Sequence, residues 1–336
     1  MRYIIIGAGA VGGTVGGRLH ESGHEVVLVA RGAHLAALRE DGLRLTTPEG
    51  SRTLAVPAVG GPEELELRRG DVLVLAVKTQ HSLPLLDAWA ARPVAGGGTA
   101  GELLPLLCAQ NGVENERLAL RRFRRVYGVC VWLPSSHLEP GRVLAQGSPV
   151  SGVLHVGRFP RGSDDTAGRI AADLAASHVG ARASADVMRW KYAKLLGNLN
   201  NALEAVGGPV DGELRLKLAR RTVAEGEAVL DAAGIGRADR EEQRAAWSGR
   251  VTLVPVDGEG RRGGSSWQSL ARGAGDIEAD HLNGEIVLLG RQHGVPTPLN
   301  AALQRLANTF AREGRAPGSL PEAELAALLE ASGPET

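Results

Sequence analysis

The sequence predicts an α/β fold: an open, mostly parallel sheet wrapped by helices in the first half, then an all-helical second half. Three observations carry this prediction. Short β-branched runs at 3–6, 25–30, 72–77, 103–109 and 125–133 alternate with helical patterns, and strands alternating with helices build βαβ units and parallel sheets. A glycine-rich turn follows the first of these strands directly. From about Asp186 onward strand signals nearly vanish, and apolar residues recur at helical spacing, as in Trp190, Leu195, Leu199 and Leu203 and again in Ile277, Leu282, Ile286 and Leu289.

A chain of 336 residues exceeds what one hydrophobic core comfortably holds. The change of pattern places the division, with a sheet domain over 1–183 and a helical domain over 184–330. Two loops rich in glycine, at 206–211 and 256–266, punctuate the second half. Beyond Gly314 the chain is rich in Ala, Glu and Pro, and 321–331 reads as at most a peripheral helix.

Composition narrows the function. Lys+Arg 38 balances Asp+Glu 38, so no basic surplus points to nucleic acid or an anionic membrane surface. A small-molecule partner is expected. The two cysteines, Cys108 and Cys130, lie far apart inside apolar runs, without metal-ligand spacing, and read as inert core thiols. No metal is expected. No apolar stretch is long enough to span a bilayer, and the chain opens on a strand rather than on a signal segment, which predicts a cytoplasmic setting. The apolar faces of the helical half can be covered internally or across a homodimer.

The first strand runs into Gly7-Ala8-Gly9-Ala10-Val11-Gly12, a G-x-G-x-x-G turn that opens a helix. In a Rossmann-type dinucleotide-binding domain the first glycine permits the sharp turn, the second lets the backbone approach a pyrophosphate, and the third packs helix on strand. The helix N-terminus then offers free N–H groups and partial positive charge to the phosphates. The flanking strand, helix and second strand all agree with this assignment. At the end of the second strand, where NAD binders place an acid for the ribose hydroxyls, this chain has Ala30-Arg31-Gly32. Arg31 can pair with a 2′-phosphate and stack on adenine, so the expected cofactor is NADP, as NADPH.

Lys78 and Asn111-Gly112 follow the third and fourth strands, at the edge where ligands sit on open parallel sheets. Lysine is scarce here, at positions 78, 191, 194 and 217 only, and an ammonium retained among so many arginines marks a candidate for chemistry. Lys194, Asn198 and Asn201 are spaced by four and three, so on one helix they share a stripe. Two asparagines, poor helix formers, beside a lysine point to a polar site. The run Gly263-Gly264-Ser265-Ser266 reads as a loop ending in an N-cap serine that suits a substrate carboxylate. Glu278 falls in the acidic first turn of a further helix, where it complements the dipole.

Taken in order, these pieces resemble the ketopantoate reductase (2-dehydropantoate 2-reductase) family, from the glycine turn to about Asn300. The resemblance rests on Arg31, on Lys78 in V-K-T, on Gln110-Asn111-Gly112, on Lys194-x-x-x-Asn198, on Ser265-Ser266 and on Glu278. It implies an NADP-dependent oxidoreductase acting on CH–OH groups, reducing a 2-keto acid, with ketopantoate to pantoate in pantothenate and coenzyme A biosynthesis as the leading reaction. The resemblance also implies roles. Lys194 is the catalytic acid and Glu278 its carboxylate partner, also near the cofactor; Asn111, Asn198, Asn201 and Ser266 bind substrate; Lys78 and Asn111 lie between nicotinamide and substrate. The chain departs from the family pattern at Ala202, where a second asparagine is common, at Ser269, where an aspartate is common, and in a longer gap between Trp190 and Lys194. These departures bear on substrate identity. The alternatives are a same-fold reductase of another keto acid or an imine, and a non-catalytic NADP(H)-binding sensor, against which Lys194 and Glu278 argue because dinucleotide binding needs neither.

Overall fold

Successive side chains of β1 (Arg2–Ile6) point to opposite faces, and both faces are buried. Tyr3 and Ile5 join one apolar cluster with Val26, Leu28, Val72 and Val74. Ile4 and Ile6 join another with Val29, Leu73 and Leu75. A strand buried on both sides reads as a continuous apolar run. That is why the sequence signal was strong here. The computed structural model describes residues 1–256, 258 and 263–331.

The main sheet holds eight strands. They are β1, β2 (Glu25–Val29), β5 (Ala58–Val59), β6 (Asp71–Leu75), β7 (Pro105–Cys108), β8 (Arg125–Trp132), β12 (Val153–Arg158) and β13 (Gly180–Ala183). Their spatial order is β13-β12-β8-β7-β6-β1-β2-β5, all neighbours parallel except β8 and β12. The chain winds outward from β1 through β2, then returns to β6 on the other side, so a topological switch point lies between β1 and β6. A four-stranded sheet of β3 (Leu43–Thr47), β4 (Gly50–Leu54), β9 (Ser135–Ser136) and β10 (Arg142–Ala145) was not legible in the sequence.

Two compact units result, Met1–Lys191 with Asp239–Arg261, and Tyr192–Ala238 with Arg262–Thr336. This differs from a single cut between 183 and 184. The second half of the chain is also not wholly helical: β14 (Val251–Leu253) pairs antiparallel with β11 (Gly147–Pro149), satisfying backbone groups of that short edge. Three residues are too few to show a strand period. The strand expected over 103–109 begins only at Pro105, because Thr99 and Glu102 wind Ala100–Leu103 into a helical turn, the Thr99 N–H donating to Glu102 Oε2 at 2.8 Å.

The second unit is helical. Its core gathers Leu203 and Val206 from the helix Asn200–Gly207, Leu218 from Gly212–Ala232, and Leu299, Leu303 and Phe310 from Pro298–Glu313. The tail forms a largely exposed helix, Glu322–Ala331, in keeping with the peripheral helix expected, and is anchored to this core: Leu320 and Leu325 are buried, and the Gly318 and Leu320 amides donate to Ala205 O and Val206 O. Of the loop expected at 256–266, residues 257 and 259–262 lie outside the described residues, as do 332–336. No described helix is long and apolar enough to cross a membrane.

One buried group in the first unit gives a pH signature. His155, 1% exposed, packs edge-on against Trp132 and Trp190, with ring centroids at 5.0 and 4.5 Å. Burial first, then the nearby Arg182 and Arg250, lower its pKa from 6.5 to about 3. The unfolded chain therefore takes up this proton first, so the stability contributed is complete above pH 6.5 and is lost as pH falls toward 3. The loss approaches about 1.4 kcal/mol per pH unit. Urea unfolding at pH 7 and pH 5 should show a stability difference that shrinks by up to about 2 kcal/mol in His155→Phe; an unchanged difference would assign the acid sensitivity elsewhere.

Candidate active site

The register of the main sheet aligns four strand ends. Val29, Ile6, Leu75 and Cys108 stand in one row across β2, β1, β6 and β7. The segments carrying Arg31, the glycine turn, Lys78 and Asn111 therefore leave the sheet at the same carboxyl edge, on either side of the switch point. These four expected cofactor elements are thus brought together.

The glycine turn fits a dinucleotide. Gly7 has φ +102, and a Cβ there would lie 2.6 Å from Val77 Cγ1; only glycine lets the turn pass this close. Gly12, facing the strand, would place a Cβ 2.0 Å from Gly7 O. At Gly9, by contrast, a Cβ would meet nothing within 4 Å. No group among the described residues explains that glycine, and space above it beside the first N–H groups of the helix Ala10–Glu21 is what a pyrophosphate needs. His34 steadies the turn. The Gly141 N–H donates to His34 Nδ1 at 2.9 Å, so the ring's proton sits on Nε2, which donates to Ala8 O at 2.9 Å. Burial lowers the pKa of His34, in keeping with this neutral form. Arg31 is exposed and extended just before the helix Gly32–Glu40.

Beneath the Lys78 and Asn111 segments lies a buried polar network that sequence reasoning did not assemble. Lys191 Nζ makes a short ion pair with Glu116 Oε1 and donates to Gln110 O at 3.0 Å. Gln110 Nε2 donates to Val77 O at 2.7 Å and to Ser82 Oγ at 2.8 Å. Ser82 Oγ in turn donates to Asn115 Oδ1 at 2.8 Å, and Asn115 Nδ2 to Thr79 Oγ1 at 3.0 Å. A signal for Lys191 did exist. It lies four residues after Val187 and four before Leu195, on the buried stripe of the helix Val187–Asn198, and a charge at such a position requires a partner. Cys108, near the pair, has its thiol pKa pushed up by burial, which agrees with an inert thiol.

In the second unit, Lys194 is half-buried and Asn198 is 5% exposed on the helix Val187–Asn198. The Asn198 amide nitrogen is buried with no hydrogen-bond partner among the described residues. Asn201 does not continue that helix. It belongs to the helix Asn200–Gly207, which is offset at Leu199: the Leu199 N–H donates to Leu196 O at 3.4 Å, one residue short of the α-helical partner, and Asn283 Nδ2 donates to the Leu199 carbonyl at 2.9 Å. Leu199 keeps helical angles, φ −60 and ψ −30, so the chain direction is little changed. Asn201 Nδ2 reaches Ser265 Oγ at 3.3 Å, which brings it to the start of the helix holding Ser266.

Two local expectations are corrected there. Gly264, not a serine, caps the helix Ser265–Ala271: its N–H donates to Glu204 Oε2 at 2.9 Å, and a Cβ would lie 2.7 Å from that oxygen. Ser266 follows as the second helical residue, 3% exposed. Glu278, 7% exposed, lies in the 3₁₀ turn Glu278–His281 and not in the first turn of an α-helix. Leu282, at φ −112 and ψ −85, breaks the run, and the α-helix starts only at Asn283, whose side chain is committed to Leu199 O and Asn300 Oδ1.

Among the described residues no cluster of His, Cys, Asp and Glu could hold a metal ion. The chain matches family models of ketopantoate reductase PanE/ApbA over residues 3–161 and of its C-terminal domain over 186–311. A Mesorhizobium japonicum protein named 2-dehydropantoate 2-reductase is 29% identical, with 93% of this chain and 98% of that protein covered. The crystal structure of a PanE/ApbA family ketopantoate reductase from Ralstonia eutropha JMP134 superposes with a TM-score of 0.76 at 30% identity, covering 94% of this chain and all of that one. A ternary structure of D-mandelate dehydrogenase with NADH and anilino(oxo)acetate shares the fold, with a TM-score of 0.77 at 23% identity over 94% of this chain and 100% of that one. With both of its halves matched in order, the chain belongs to the ketopantoate reductase PanE/ApbA family, NAD(P)-dependent oxidoreductases that act on CH–OH groups and reduce 2-keto acids.

Proposed function

We propose that this protein reduces a 2-keto acid to the 2-hydroxy acid with NADPH, ketopantoate to pantoate being the leading reaction, in pantothenate and coenzyme A biosynthesis. The carrying observation is Asn198: a buried amide nitrogen with no partner among the described residues, four residues after the half-buried Lys194 on one helix. Buried polar groups are nearly always paired, and a substrate oxygen would complete this one. The full-length relatives named 2-dehydropantoate 2-reductase support the choice of keto acid.

The nicotinamide supplies the hydride when bound. Lys194 polarises the substrate carbonyl and gives its proton to the oxygen as the alkoxide develops. Glu278 orients that ammonium. Asn198, Asn201 and Ser266 hold the carboxylate and hydroxyl ends of the substrate, and Asn111 and Lys78 line the nicotinamide end of the cofactor. The first turn of the helix Ala10–Glu21 binds the pyrophosphate, and Arg31 the 2′-phosphate. Purified protein should oxidise NADPH when ketopantoate is added. Oxidation only with a different keto acid would reassign the substrate, and none across a broad panel would overturn the reductase reading.

The cofactor preference has its own test. A charged hydrogen bond to phosphate contributes about 1.5–3 kcal/mol, so Arg31→Ala should weaken NADPH by about tenfold or more while changing NADH little. Equal weakening of both, measured by nicotinamide fluorescence, would remove the argument for NADPH.

A further inference from the structure

Lys191 and Glu116 are 2% and 0% exposed at their side chains and form an ion pair. Stability alone does not account for them. Withdrawing two charges from water costs several kcal/mol per ion, and an apolar pair of similar volume is commonly as stable or more so. Here the cost is only partly offset, because Glu116 Oε2 is buried with no partner among the described residues. Burial pushes the Glu116 pKa up, against the opposing pull of Lys191.

What the pair holds is informative. Lys191 Nζ donates to Gln110 O, the carbonyl of the peptide that leads into Asn111. The side-chain amide of Gln110 donates to Val77 O, the carbonyl of the peptide that leads into Lys78. One buried glutamine thus ties together the two peptides that present the nicotinamide-end residues, and the ammonium fixes its backbone. Ser82 braces the same glutamine from the far side, and Asn115, bonded to Ser82, carries the chain of bonds to Thr79, next to Lys78. All of these groups belong to the first unit.

We propose that Lys191 and Glu116 are positioning residues for the nicotinamide end of the cofactor site, setting the Asn111 and Lys78 segments through Gln110. The assignment of that end rests on the function proposed above. Neither residue touches the reactants. Their effect is to keep two loop peptides in one arrangement before the cofactor arrives, so that ordering them costs nothing on binding.

The test uses the full chain and two ligands: NADPH, and 2′-phospho-ADP-ribose, which carries the adenine and phosphate groups without nicotinamide. In Lys191→Met/Glu116→Leu no lone buried charge is left, so the melting temperature should stay close to wild type. NADPH affinity should nevertheless fall by about tenfold, while 2′-phospho-ADP-ribose affinity changes by less than about twofold. Ser82→Ala removes one hydroxyl from the same network with little risk to folding, and should show the same selective loss at about threefold. In keto acid turnover both variants should lower kcat more than they raise the KM of the keto acid. Equal loss of both ligands, or no loss of either, in Ser82→Ala or in the folded double variant overturns the positioning role. Because the ligand comparison needs no turnover, a protein that binds NADPH but reduces no keto acid would refute the proposed reaction and still decide this point.

Discussion

Lys194→Ala is expected to lower kcat by about a hundredfold or more while NADPH binding and the melting temperature stay near wild type. Hydride addition turns a carbonyl oxygen into an alkoxide, and a group that stabilises only this developing charge affects kcat and kcat/KM together. Lys194→Arg should not rescue turnover, since a guanidinium keeps the charge but is too weak an acid to release a proton near neutral pH. Glu278→Gln should lower turnover without affecting folding, and the double variant should lose less than the two single losses combined, because the pair acts as a unit. A structural cation would behave in the opposite way, with lowered melting temperature and near-normal turnover per folded molecule. Measuring kcat and melting temperature on the same four proteins separates these outcomes, and near-wild-type turnover in Lys194→Ala would end the catalytic assignment.

The glycine turn allows a paired experiment with two large and opposite effects. Gly12→Ala sets a methyl group 2.0 Å from Gly7 O and 2.9 Å from Ile5 Cγ2. Backbone and core strand must both move, and a loss of about 3 kcal/mol or more in folding stability is expected. Gly9→Ala meets nothing within 4 Å, and its φ of −71 is open to any residue. Stability should therefore be unchanged, while dinucleotide affinity falls by about ten- to a hundredfold as the methyl group occupies the place of the pyrophosphate. Calorimetric melting with nucleotide titration reads both. A stable Gly9→Ala protein with full NADPH affinity would move the cofactor off this turn.

The shared sheet edge from which the proposed cofactor residues leave was legible in the sequence. Each of its elements sits directly after an apolar strand, and the parallel register carries Gly7, Arg31, Lys78 and Asn111 to one edge without further information. The local geometry of the proposed substrate residues was less legible. Asn201 fell on a separate helix because the Leu199 N–H bonds to Leu196 O and the α-helical ladder slips there, while a side chain from residue 283 donates to the carbonyl of residue 199. Gly264 displaced the expected serine from the cap because Glu204, 60 residues earlier, accepts its N–H. Neither partner is visible from the local pattern. The burial of Leu325 was not legible for a similar reason: a short Ala- and Glu-rich segment carries weak periodicity, yet its leucine fills the space left over Gly207.

Strand–helix alternation, the glycine turn at a strand end and a basic residue where an acid would select NAD are properties of neighbouring residues, and the sequence by itself determined them. Backbone sterics and side-chain period act over a few residues, so they are written locally. The placement of β14 beside β11, the anchoring of the tail and the pairing of Lys191 with Glu116 across 75 residues were decided only by tertiary structure. A lysine on a buried helical stripe announces that a counter-charge must exist, because an isolated charge cannot leave water. Which carboxylate answers it depends on the sheet register and the packing of the helix Val187–Asn198, and those free energies are summed over contacts between residues far apart in the chain.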